Sequence, residues 1–207
     1  MFGKAKVNDD VNNSQLPCLI VGLGNPGREY CQSRHNVGFM AVDQLAAKLD
    51  IRMSRVQSRA IVGMGNHRDR KVILAKPQTF MNDSGKAVSS LMHYYKLPID
   101  NLMVIHDDID LPFGVLRIRP AGGSAGQKGV ASIIERIGTQ DYSRMRIGVG
   151  RPSGRKAAAN YVLEDFSDDE QETLRAVFDQ AVEAVLVFLD SGIDQAMNRF
   201  NGPVLKE

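Results

Sequence analysis

Residues 17–27 read PCLIVGLGNPG. Leu19-Ile20-Val21 follows a proline and stops at Gly22, which predicts a short buried strand. Gly22-x-Gly24-x-x-Gly27 then spells the dinucleotide-binding fingerprint. In that motif the helix begins inside the glycine loop, so that its N-terminus faces a pyrophosphate. Here Pro26 stands in the loop, and a long polar stretch separates Gly27 from the next helical pattern. The glycines are therefore read as letting the backbone turn sharply and pass close to a substrate.

Outward from this strand, apolar periods alternate between helix and strand. Val37, Met40, Ala41, Leu45 and Leu49 give a helical spacing, with Asn36 as its N-cap. Residues 60–64 and 72–75 read as strands joined by the turn-rich GNHRDR. A helix is expected over 84–95 and a buried strand over 102–105. Val115, Leu116 and Ile118 alternate with Arg117 and Arg119, which predicts a half-exposed strand with basic residues on one face. Val130, Ile133, Ile134 and Ile137 mark a helix over 126–137, and 145–149 is a strand. Ser167 and Glu170 form a capping box at the start of a long helix. Strands and helices mixed along one chain predict an α/β fold, a central sheet with helices on both faces.

The 207 residues suit one domain, expected over 17–207, behind a flexible N-terminal extension over 1–16. That extension is polar and lacks the apolar core of a secretory signal. No stretch approaches the roughly 18 apolar residues of a membrane span. The two cysteines, Cys18 and Cys31, make no disulfide framework, so a reducing cytoplasm is expected. Charge is unevenly spread. Residues 115–156 hold nine basic and two acidic side chains, and residues 157–195 hold one basic and ten acidic ones. The first segment is a candidate phosphate-binding surface.

Four stretches carry residues suited to chemistry. His35 lies in a polar loop after a strand end, where α/β proteins gather site residues, and an imidazole can serve as a general base. His106-Asp107-Asp108-Ile109-Asp110 offers three carboxylates for a divalent cation, or one to orient an imidazole. Both readings stay open at this point. Lys76 to Gly85, KPQTFMNDSG, offers Asn82 as an amide donor to an oxyanion and Asp83 or Ser84 as a helix cap. Gly122 to Gly129 is a glycine-rich loop opening a helix, able to present N–H groups to an anion, without the Walker A spelling.

VGLGNPGREYCQSRHNVGF, KPQTFMNDSGKAV, VIHDDIDLPFGVLRIRP and RIGVGRP occur in this order. Together they resemble the bacterial-type peptidyl-tRNA hydrolases, from about Leu19 to past Arg199. The resemblance implies a single α/β domain with a twisted mixed β-sheet flanked by helices. It implies a monomeric enzyme that hydrolyses the ester of N-blocked aminoacyl-tRNA with no metal or organic cofactor. His35 matches the family's catalytic base, Asp107 its supporting carboxylate and Asn25 the amide that separates blocked from unblocked substrates. Tyr30, Phe80 and Asn82, with Met81 beside them, match residues lining the site near the tRNA end. Arg119 and Arg146 match the grip on the tRNA 5′-phosphate. One motif departs: many members read glycine-glycine-histidine-asparagine-glycine where this chain has Ala125-Gly126-Gln127-Lys128-Gly129. Lys128 thus replaces a substrate-binding asparagine with a side chain that only donates hydrogen bonds.

Overall fold

The computed structural model describes residues 16–152 and 154–205. The expected N-terminal extension lies outside the described residues except for Leu16. Eight strands are found among the described residues: β1 (Cys18–Gly22), β2 (Arg55–Gln57), β3 (Ala60–His67), β4 (Arg70–Pro77), β5 (Leu102–Asp108), β6 (Val115–Arg119), β7 (Ser143–Gly148) and β8 (Gly202–Pro203). They form one sheet in the order β2-β3-β4-β1-β5-β7-β6-β8. The central four, β4, β1, β5 and β7, run parallel. Antiparallel strands complete both edges, so the sheet is mixed. The helices are α1 (Val37–Lys48), α2 (Ser84–Tyr95), α3 (Lys128–Ile137), α4 (Ala158–Tyr161) and α5 (Gln171–Phe200).

β1 is buried along its whole length, as its apolar run requires for a strand covered on both faces. Ile20 joins the core beneath α1 and α5. Leu19 and Val21 point the other way, into the core beneath α2 and α3. Each fully buried Leu or Ile contributes roughly 1.5–3 kcal/mol. The capping box at Ser167 is formed, with the Ser167 N–H donating to Glu170 Oε2 at 2.7 Å. The helix it opens is broken at Gly192, whose φ of 81° and ψ of 177° belong to glycine alone. Among the described residues no helix is long and apolar enough to cross a membrane.

Several boundaries differ from the sequence reading. β3 and β4 pair as far as His67 and Arg70, so the turn is only Arg68-Asp69 and most of GNHRDR is strand. Polar side chains at a hairpin end can face solvent while their backbones continue the ladder. β5 likewise runs on through His106, Asp107 and Asp108, which were expected to follow it. Side chains alternate along a strand, so Asp107 and Asp108 leave on opposite faces.

Candidate active site

Four parallel strands end on the same side of the sheet, the position where α/β folds collect site residues. α1 meets that end at unusually close range. A Cβ on Gly22 would lie 2.1 Å from the Gly38 carbonyl oxygen, and one on Gly38 would lie 2.4 Å from that of Ile105. Glycine at both positions lets the start of α1 rest on β1 and β5. The close approach expected of the glycine loop is therefore to the protein's own helix. It brings the turn Arg34–Asn36 over the end of β5.

There His35 Nδ1 lies 2.8 Å from Asp107 Oδ2. An ionised carboxylate only accepts, so Nδ1 carries the hydrogen and Nε2 is left as the acceptor. Nε2 has no hydrogen-bond partner among the described residues, and His35 lines a cavity. Asp107 is 2% exposed. Its other oxygen, Oδ1, accepts from Gln127 Nε2 at 3.0 Å. The geometry is that of an oriented imidazole with one free basic nitrogen.

Arg34 holds this turn from behind. Its guanidinium donates to Glu170 Oε2 at 2.6 Å and to the carbonyls of Glu164 and Asp165, and it stacks on Tyr161 at 4.6 Å and Phe166 at 5.0 Å. The His35 N–H donates to the Val162 carbonyl at 2.7 Å. One basic side chain thereby fastens α4 and the residues after it beside the imidazole.

Asn36 stands at the N-cap position of α1, yet its side chain makes no cap bond. It turns instead to Asn25, accepting from that residue's N–H at 2.8 Å and donating to its carbonyl at 2.9 Å. The side chain of Asn25 is fixed as well, because Oδ1 accepts from the Met81 N–H at 2.8 Å. That leaves the Asn25 Nδ2 hydrogens for the cavity. Asp83 and Ser84 also make no cap bond on α2: Ser84 donates to the Met81 carbonyl and Asp83 pairs with Lys86.

The three carboxylates at the end of β5 do not converge. Asp107 serves His35 and Gln127, Asp108 pairs with Arg146, and Asp110 pairs with Arg151. Among the described residues no group of three or more His, Cys, Asp or Glu is placed to hold a metal ion. His106 faces away from the cavity and is buried, which pushes its imidazole below the usual range. Its Nδ1 lies 2.7 Å from the Asp107 carbonyl, and its Nε2 has no partner.

The basic segment divides by depth. Arg117 lies directly across from Arg146 and Arg119 across from Arg144. Arg144 is 2% exposed and donates to the Gly123 and Gln140 carbonyls at 3.0 Å each, so it ties the glycine-rich loop to β7. The Tyr142 ring lies 4.3 Å beneath it. Arg119 is exposed, while Arg146 is half-buried and held by Asp108 through Nε. Its terminal nitrogens make no bond among the described residues.

The cavity of about 490 Å³ brings together Asn25, His35, Phe80, Met81, Asn82 and Asp107. Gln127, Lys128 and the α4 segment with Val162 and Leu163 complete its wall. Tyr30 is not among its lining. It sits half-buried in the turn Arg28–Tyr30, where its carbonyl accepts from Ser33 as the chain turns back toward His35. Arg119 and Arg146 also lie outside the cavity wall. Arg34, Asn36 and Gln127 are site residues that the sequence reading missed. Gln127 was within reach of it, since an N-cap acceptor is sought three residues before Val130.

A sequence model of the peptidyl-tRNA hydrolase family matches residues 19–207. The chain belongs to the peptidyl-tRNA hydrolase family. A peptidyl-tRNA hydrolase of Caldanaerobacter subterraneus subsp. tengcongensis is 46% identical over 184 residues, covering 89% of this chain and 99% of that protein. One of Desulforamulus reducens is 50% identical over 88% of each chain. The crystal structure of peptidyl-tRNA hydrolase from Acinetobacter baumannii has a TM-score of 0.86 at 35% identity, covering 93% of this chain and 98% of that one.

Proposed function

We propose that this hydrolase cleaves the ester between a peptide and the 3′ end of its tRNA, with His35 as general base. The observation that carries the reading is the His35–Asp107 pair, which leaves Nε2 free at a cavity wall. His35 takes a proton from water as its oxygen attacks the ester carbonyl carbon. Asp107 holds the other ring nitrogen and stabilises the imidazolium as it forms. The tetrahedral oxyanion accepts from Asn25 Nδ2 and Asn82. Collapse then breaks the ester bond, and the imidazolium returns its proton to the ribose oxygen that leaves. A histidine base contributes about 10²- to 10⁴-fold. One oxyanion donor contributes roughly 10²- to 10³-fold.

Asn25 also selects N-blocked substrates, because its free donors meet a peptide carbonyl. Phe80 and Met81 flank the tRNA end, and Phe80 is 61% exposed at the rim. Arg119 and Arg146 grip the 5′-phosphate from the β6–β7 face. Lys128, exposed on the first turn of α3, reaches toward the acceptor end. The enzyme acts as a monomer in the cytoplasm, where Cys18 and Cys31 remain free thiols.

Incubation with N-acetyl-aminoacyl-tRNA, with and without EDTA, tests this reading. Release of free tRNA unaffected by EDTA is the expected result. Binding without release, or release abolished by EDTA, would contradict it.

A further inference from the structure

We infer that Gln127 is a positioning residue that holds the Asp107 carboxylate in the plane His35 needs. This rests on the proposed pairing of His35 with Asp107. A carboxylate turns about its bond to Cβ, and one partner fixes one oxygen only. Here each oxygen has its own donor: His35 Nδ1 at 2.8 Å on Oδ2, and Gln127 Nε2 at 3.0 Å on Oδ1. The second donor sets the plane.

Gln127 is itself held from the other side. Its Oε1 accepts from the Val130 N–H at 2.8 Å, the N-cap bond of α3. That bond decides which end of the amide is oxygen, and so turns the nitrogen to Asp107. The second hydrogen of Nε2 is directed at Met81 Sδ, 3.2 Å away. Both hydrogens of the amide are thus engaged within the protein, which leaves no donor for substrate. The backbone is shaped to bring Gln127 there. Ala125 has φ 47° and Gly126 φ 82°, two successive left-handed residues, before Gln127 returns to φ −71° and ψ 116°. A non-glycine residue pays strain to adopt that conformation, and the loop keeps it.

Two variants separate positioning from capping. Gln127→Glu keeps the length and an oxygen for the Val130 N–H, but offers no donor to Asp107. Gln127→Asn keeps a favourable N-cap amide, and is one methylene too short to span to Asp107. For each, kcat, KM and Tm are measured on N-acetyl-aminoacyl-tRNA beside His35→Ala. Expected are kcat losses of roughly 10-fold for Asn and about 100-fold for Glu, with KM little changed. Tm of Gln127→Asn should stay within about 2 °C, because the cap survives, whereas the like charge that Gln127→Glu sets beside Asp107 lowers Tm. Wild-type kcat in both variants, with His35→Ala inactive, would overturn the role of Gln127 alone. So would a loss of kcat in Gln127→Asn that follows only a fall in Tm. Full activity of His35→Ala would remove the underlying pairing, and this role with it.

Discussion

Asn36 grips the main chain of Asn25 at both its N–H and its carbonyl, 2.8 Å and 2.9 Å from the two ends of one amide. Asn36 is 2% exposed, so both backbone groups lose their partner in a dry place if the amide is removed. Asn36→Ala should destabilise the fold by about 2–4 kcal/mol and lower the rate, because Asn25 is no longer held. Urea denaturation gives the first quantity. Asn36→Asp keeps one acceptor but turns a buried carboxylate oxygen on the Asn25 carbonyl, and should be at least as destabilising as Asn36→Ala. Wild-type stability in both variants would show that the pair contributes nothing.

Much of this fold was legible because the central strands are short, apolar and buried on both faces. Leu19-Ile20-Val21 could only be a core strand or a fragment of buried helix, and the glycine after it ended the helix option. β2 left no such pattern: Arg55 and Val56 are exposed and the strand is held by backbone pairing to β3. Candidate site residues were legible where one side chain has one obvious chemistry, as with His35, which lines the cavity. They were hidden where a residue serves another residue's backbone. Asn36 looked like a helix cap because the sequence shows its position and not the direction of its side chain. Gln127 was overlooked beside Lys128, because its partner Asp107 is 20 residues away and is reached only through the turn at Ala125 and Gly126.

His106 should make the fold sensitive to mild acid. Burial lowers its tendency to protonate, Asp107 and Asp108 oppose this, and Arg144 adds to it. The unfolded chain protonates it near the ordinary value of 6.5. Below that value the unfolded state binds more protons, so stability rises with pH there. The contribution is intact above the unfolded value and is lost as pH falls toward the depressed one. Denaturation should show lower stability at about pH 5.5 than at about pH 7.5, a difference that His106→Gln reduces. Equal pH slopes in the two proteins would contradict this.

Arg119→Ala and Arg146→Ala should weaken tRNA binding with little change in single-turnover rate at saturation. Each lost phosphate contact should flatten the dependence of log K on log salt by roughly 0.7 to 0.9. Asp108 orients Arg146, so Asp108→Asn should change affinity through Arg146 and have no effect in the Arg146→Ala background. Wild-type salt slopes in both arginine variants would remove the phosphate grip.

Lys128 has no ion-pair partner among the described residues, although it opens α3, where the helix dipole disfavours a cation. A tRNA phosphate near the acceptor end would satisfy it. Lys128→Asn should therefore weaken tRNA affinity and reduce its salt dependence, measured by binding titrations at several ionic strengths. Altered preference between peptide substrates at an unchanged slope would place Lys128 on the peptide instead. No change in either quantity would make it a spectator.

In the proposed mechanism His35 performs the chemistry and does not anchor the substrate. The direct measurement is single-turnover cleavage of N-acetyl-aminoacyl-tRNA by His35→Ala at saturating enzyme, with tRNA affinity measured on the same preparation. The expected rate is lower by about 10²- to 10⁴-fold, the range of a lost general base, with affinity nearly unchanged. A rate close to wild type, or a loss that disappears once binding is saturated, would contradict it.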